Sequence, residues 1–157
     1  MNTVTLTEHE MELAALTGIK RRAESKSRGR GRVDHPAIID ENGWDMDIEG
    51  ASAEMAFCKF RGEYWTASIG SFKGADHGDN IQIRQTKLNN GCLIIRELDN
   101  DDHRYVLVSG KSPTFQMHGW ILGKDGKRKE YEKNPGGRSP AYFVPQHKLN
   151  QFKPNQK

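Results

Sequence analysis

The sequence predicts an α+β fold, with a central mixed or antiparallel β-sheet and helices mainly on one face. Three observations lead there. Local patterns run helix, helix, then strand after strand. The first helix carries its own start signal in Leu6, Thr7, Glu10 and Met11. Between residues 80 and 122 short apolar or alternating runs are separated by turn formers.

Thr7 followed by Glu10 fits a capping box, and Leu6 with Met11 fits a hydrophobic staple. Met11, Ala15, Ile19 and Ala23 recur every fourth residue, which predicts one narrow apolar stripe on a helix over 7–25. Gly18 weakens that helix by roughly 1 kcal/mol relative to Ala. Residues 26–44 (SKSRGRGRVDHP onward) read as a long loop or arm, because Gly and Pro interrupt every periodicity. The stretch 50–65 reads as a second helix with Ala51, Met55, Ala56 and Phe60 on its apolar face. Gly62 ends it, and Glu54 lies beside the apolar face.

Strands are expected at 63–70, 80–87, 91–98, 104–109 and 114–122, with a last short one at 142–145. Asn89-Asn90-Gly91 predicts a hairpin turn between the second and third of these. Tyr105 to Val108 is nearly all apolar, as in an interior strand. The 123–140 stretch is polar and rich in turn formers. The expected organisation is an N-terminal helix and basic/acidic arm (1–45), an α+β core (46–150) and a flexible tail (151–157).

Only 34% of the 157 residues are apolar, so the core is modest. There is no 18-residue apolar run and no secretory-signal pattern, so no membrane partner and a cytoplasmic location are expected. Cys58 and Cys92 form neither a disulfide framework nor a zinc pattern. Net charge is only +3, but it is sorted. Lys20 to Arg32 holds seven basic residues and one acidic. Asp34 to Glu54 holds seven acidic and none basic. Lys124 to Lys157 holds nine basic and three acidic. Solvated surface explains such sorting; so does a polyanion gripped at the flanks. The gripping residues would be Lys20, Arg21, Arg22, Lys26, Arg28, Arg30, Arg32, Lys127 and Arg128. Trp44 is a candidate for base stacking. Asp99, Asp101 and Asp102 lack the spacing of a calcium loop.

One constellation could carry chemistry. Glu54 lies on a helix. Asp76, or its competitor Asp79, precedes a strand, and His77 sits beside Asp76. Gln82 and Arg84 alternate with Ile81 and Ile83, so both occupy the polar face of that strand. Oxygen ligands of this kind suit a hard cation such as Mg²⁺ or Mn²⁺, and an adjacent guanidinium suits a phosphate. Helix solvation and turn chemistry are the competing explanations for the acids.

Helix-Glu, then Asp, then Glu/Gln-x-Lys on the next strand is the core pattern of the PD-(D/E)xK nucleases. The blocks EGASAEMAF, D…IQIRQT, LIIRELDNDDHRYVLVSG, HGWILGKD and AYFVPQHKL, over roughly 49–149, resemble a group of small bacteriophage proteins with that core. The resemblance implies a restriction-endonuclease-like fold in the host cytoplasm and metal-dependent hydrolysis of DNA. Glu54, Asp76 and Gln82 would hold the metal, and Arg84 would stand beside the phosphate. It also implies a departure: Arg84 occupies the Lys position and Gln82 an acidic one. Arg stays charged and exchanges no proton, so an inactive binding module on the same fold is the first alternative. Its target would be nucleic acid or a host or virion protein, such as a host defence. A structural protein that oligomerises through the N-terminal helix is the second.

Overall fold

The computed structural model describes residues 2–28, 43–69, 78, 80–134 and 139–153. Expectations at Arg30, Arg32, Asp76, His77 and Asp79 lie outside them.

The chain is α+β with a mixed sheet. It begins with a strand that the sequence analysis missed, β1 (Thr3–Thr5), then α1 (Glu8–Ser27) and α2 (Gly43–Arg61). Strands β2 (Ile81–Thr86), β3 (Leu93–Arg96), β4 (Arg104–Lys111) and β5 (Thr114–Leu122) follow. A single turn of helix, α3 (Gly123–Gly126), then leads to β6 (Glu132–Lys133) and β7 (Ala141–Val144). Two sheets result. The larger has the order β1-β5-β4-β2, with β2 parallel to β4 and the other pairs antiparallel. The smaller has the order β3-β7-β6 and is antiparallel.

The capping box forms as read. Thr7 Oγ1 accepts from the Glu10 amide at 3.2 Å, and the Glu10 carboxylate accepts from the Thr7 amide at 2.7 Å. At the end of α2, Gly62 adopts φ +67°. The Gly62 amide bonds to the Lys59 carbonyl and the Glu63 amide to the Cys58 carbonyl, which is a Schellman closure. Helix α2 starts seven residues earlier than expected, at Gly43, where Arg22 of α1 donates to the Gly43 carbonyl at 2.8 Å.

The buried face of α1 is Ala14, Thr17, Gly18 and Arg22, not the expected Met11–Ala15–Ile19–Ala23 stripe. The cause is close approach. A Cβ on Gly18 would stand 2.5 Å from the Ile48 Cα and 2.7 Å from the Asp47 carbonyl oxygen, so α2 crosses where α1 has no side chain. Val4, Leu6 and Ala14 belong to the main core, so the start of the chain and α1 pack with the sheet.

The larger sheet has two buried faces. Toward the helices, Ile83, Val106, Val108, Phe115 and Met117 pack with Ala53, Ala56 and Phe57 of α2. Toward the smaller sheet, Tyr105, Leu107 and Ile121 pack with Leu93, Ile95 and Val144. This is why Tyr105 to Val108 is apolar without alternation, as an interior strand should be. Strand β5 serves both faces through a bulge. Leu107 pairs with Gly119 and Val108 with Met117, so His118 is the extra residue. Beyond it the side-chain parity flips: Trp120 packs on the helix-side core and Ile121 on the other.

Two further expectations fail. Residues 63–69 form no strand, and Ala67 has φ +51°, outside extended geometry. Strands β2 and β3 do not form a hairpin. The Gly91 amide does close a turn on the Leu88 carbonyl at 3.0 Å, but that turn sends β3 into the smaller sheet, where it pairs with β7. No helix among the described residues is long and apolar enough to cross a membrane.

Candidate functional site

Glu54 sits on α2 within a run, 51–58, that is buried throughout. A carboxylate there needs compensation. Arg21 of α1 supplies it with a two-pronged fork, Nη1 to Oε1 at 2.7 Å and Nη2 to Oε2 at 2.9 Å. Arg21 Nε also donates to the Ser68 carbonyl at 2.9 Å, and the Trp65 indole N–H reaches Glu54 Oε2 at 3.4 Å. Glu54 therefore points into the α1–α2 junction.

Gln82 and Arg84 lie elsewhere. Ile81 and Ile83 pack into the helix-side core, so the residues alternating with them face the smaller sheet. Arg84 Nη2 donates to both Asp99 oxygens at 2.9 Å, and its guanidinium lies 5.2 Å from the centre of the Tyr105 ring. Gln82 is half-buried and in register with Tyr105. Burial, with Asp99 nearby, pushes the Tyr105 hydroxyl up to about 12, so it stays protonated and donates to the Asn100 carbonyl at 3.2 Å. The sequence-derived constellation is thus divided. Glu54 faces α1 on one side of the larger sheet, while Gln82 and Arg84 face the opposite side. Asp76 lies outside the described residues. Of the expected metal ligands, Glu54 is ion-paired with Arg21 and Gln82 stands across the sheet from it. Among the described residues no three His, Cys, Asp or Glu side chains are grouped to hold a metal ion.

The acidic loop after β3 holds a cation of its own. Lys127 Nζ donates to the Glu97 carbonyl at 2.8 Å, the Asp99 carbonyl at 2.5 Å and Asp101 Oδ1 at 2.7 Å. An ammonium thus occupies the centre of a loop whose acids suggested calcium only weakly. Asp99 also accepts from the Arg96 amide at 2.8 Å, so it both closes the turn and anchors Arg84. Sequence reasoning missed Asp99 and Arg21 as anchors. Their pairings span 15 and 33 residues, beyond any local pattern.

The basic residues divide likewise. Arg21 and Lys127 are engaged internally. Arg22 is buried and ion-paired with Asp47 at 2.8 Å, so it staples α1 to α2 rather than gripping a backbone. Lys20, Lys26, Arg28 and Arg128 are exposed. Lys26 lies 5.9 Å from the centre of the Trp44 ring, which is 40% exposed on the first turn of α2. Trp65 and Trp120 are half-buried at the rim of the helix-side core.

A separate cleft of about 640 Å³ opens beside β5, lined by His118, His147, Gln116 and Gln151 among others. There His118 Nε2 and Ser109 Oγ share a hydrogen bond of 2.6 Å. Burial pulls the His118 imidazole below its ordinary value, so the neutral ring is favoured.

No family model, curated protein or solved structure matches the chain. Its reading rests on its own residues.

Proposed function

We propose that this chain is a nucleic-acid-binding protein with a nuclease-like sequence pattern, one that holds a phosphate backbone without hydrolysing it. The observation that carries this reading is the division of the site. Glu54 is neutralised by the Arg21 fork, and Arg84 is anchored to Asp99 across the sheet. A carboxylate held by a guanidinium is a poor metal ligand. An arginine held by a carboxylate cannot exchange a proton either. The restriction-endonuclease-like fold belongs to this proposal and is supported by the blocks quoted above, by the mixed sheet and by helix α2 carrying Glu54.

Exposed Lys20, Lys26, Arg28 and Arg128 provide the backbone contacts. Four phosphate contacts give a slope of log K against log salt of about −3 to −4. Binding of single- and double-stranded oligonucleotides, followed by fluorescence anisotropy from low to high salt, tests this. A slope near zero would reject it in favour of a protein target.

The second reading, a metal-dependent nuclease acting on DNA, is favoured by Asp76 and Asp79 lying just ahead of β2. It requires Glu54 to exchange Arg21 for a metal shared with Asp76. Titrating Mn²⁺ into the wild type and Asp76→Ala by calorimetry decides between the two. Saturable binding lost in the variant, with EDTA-sensitive cleavage of plasmid, would replace the first reading with the second.

A further inference from the structure

Helix α1 packs on α2 through Ala14, Thr17, Gly18 and Arg22, and among the described residues no element packs on its opposite face. On that face Leu13 is 44% exposed, Leu16 50% and Ile19 41%. Three neighbouring aliphatic residues on one helix face are more than scattered surface apolarity. Glu12 and Lys20 border them; both are exposed, and neither has an ion-pair partner among the described residues.

The order of these residues is symmetric about Leu16. Leu13 and Ile19 lie three positions to either side, and Glu12 and Lys20 lie four. Glu12, Leu16 and Lys20 therefore form one i±4 ridge, acidic at one end, aliphatic in the middle and basic at the other. Such a ridge complements itself when reversed. Laid antiparallel against the same ridge of a second copy, Leu16 meets Leu16, Glu12 meets the second copy's Lys20, and Lys20 meets its Glu12. Ridges of the i±4 class align in this way at a crossing angle of about −50°, and a twofold axis through Leu16 makes the contact isologous and closed.

We infer that the outer face of α1 is a self-association surface, and that its occupant is the α1 helix of a second copy of this chain in antiparallel arrangement. The inference is independent of the nucleic-acid reading, except that it withdraws Lys20 from the residues facing nucleic acid and leaves Lys26 and Arg28 at the free end of the helix. A single helix pair is a small interface, so the dimer is in exchange with monomer and forms with rising concentration.

The test is charge reversal read by sedimentation equilibrium of the full chain over roughly 1–300 µM, the range in which small interfaces populate. Wild type should rise toward twice the monomer mass. Glu12→Lys alone, and Lys20→Glu alone, each place like charges at both ends of the ridge and should remain monomeric. Mixed in equal amounts, the two single variants are complementary again and should form a heterodimer. The double variant Glu12→Lys/Lys20→Glu should also dimerise. Leu16→Asp should abolish association while leaving the circular dichroism spectrum unchanged, since the residue is half exposed. A wild type that stays monomeric throughout overturns the inference. A dimer indifferent to both single reversals, or single variants that do not associate on mixing, overturns the antiparallel pairing.

Discussion

Arg21→Ala tests the account of Glu54 most directly. The wild-type guanidinium makes two charge-assisted hydrogen bonds to the Glu54 carboxylate, at 2.7 and 2.9 Å, and a third to the Ser68 carbonyl at 2.9 Å. The Glu54 side chain is 10% exposed and that of Arg21 is 23% exposed. Deleting one partner of a fully buried pair costs about 3–5 kcal/mol, because the other charge is left uncompensated. The exposed quarter of Arg21 admits some water, which lowers the expectation to about 2–3 kcal/mol. In a domain of this size that is a fall in Tm of roughly 5–10 °C. Urea unfolding by tryptophan fluorescence measures it. The companion is Arg21→Met with Glu54→Met, which removes both charges and keeps apolar volume at the junction. It should recover at least half of the loss, because the cost lies in the orphaned charge. Arg21→Ala within about 0.5 kcal/mol of wild type, or a double variant no more stable than Arg21→Ala, would refute the reasoning.

Other consequences can be checked as simply. Gly18→Ala should destabilise by about 2 kcal/mol or more although Ala is the better helix former, because its Cβ would meet the α2 backbone; thermal melting measures it. Lys127→Met should cost about 2 kcal/mol and speed amide exchange at Asp99 and Lys124, whose amides close the loop that Lys127 holds. Burial pushes the Cys58 thiol up to about 12, so a thiol reagent at about pH 8 should modify only Cys92 in the native protein and both cysteines in denaturant. Because the folded His118 imidazole lies below its ordinary value near 6.5, the unfolded chain takes up that proton first as pH falls. Stability should therefore decline as pH falls through about 6.5, and His118→Gln should flatten that part of the profile.

What was legible in the sequence was local. The Thr7–Glu10 box, the Gly62 terminus and the interior strand over 105–108 each depend on residues within a turn or two, and each stands where it was read. The errors came from longer range. The repeating stripe at Met11, Ala15, Ile19 and Ala23 lost to the small face around Gly18, because closeness of helix packing outweighed periodicity. The Asn-Gly turn was correctly placed but led between sheets, which turn chemistry alone does not distinguish from a hairpin. The bulge at His118 reversed the parity of β5 without a turn residue to announce it, apart from Gly119 at φ +142°. The candidate site was legible as residue types on elements. It was not legible as geometry, because the sheet's two apolar faces put Glu54 and Arg84 on opposite sides.

The first strand carries a consequence for how the chain matures on the ribosome. Thr5 and Thr114 share a hydrogen bond across 109 residues of sequence, and among the described residues β1 pairs in its sheet only with β5. Pairing of β1 in the sheet therefore waits for residues 114–116, although Lys59 of α2 already reaches the Thr5 carbonyl at 3.0 Å. The two helices can dock on each other long before, since their contact needs only the first sixty or so residues. Closure of the sheet at its β1 edge follows the docking of the helices, and loop-closure entropy makes it a slow step.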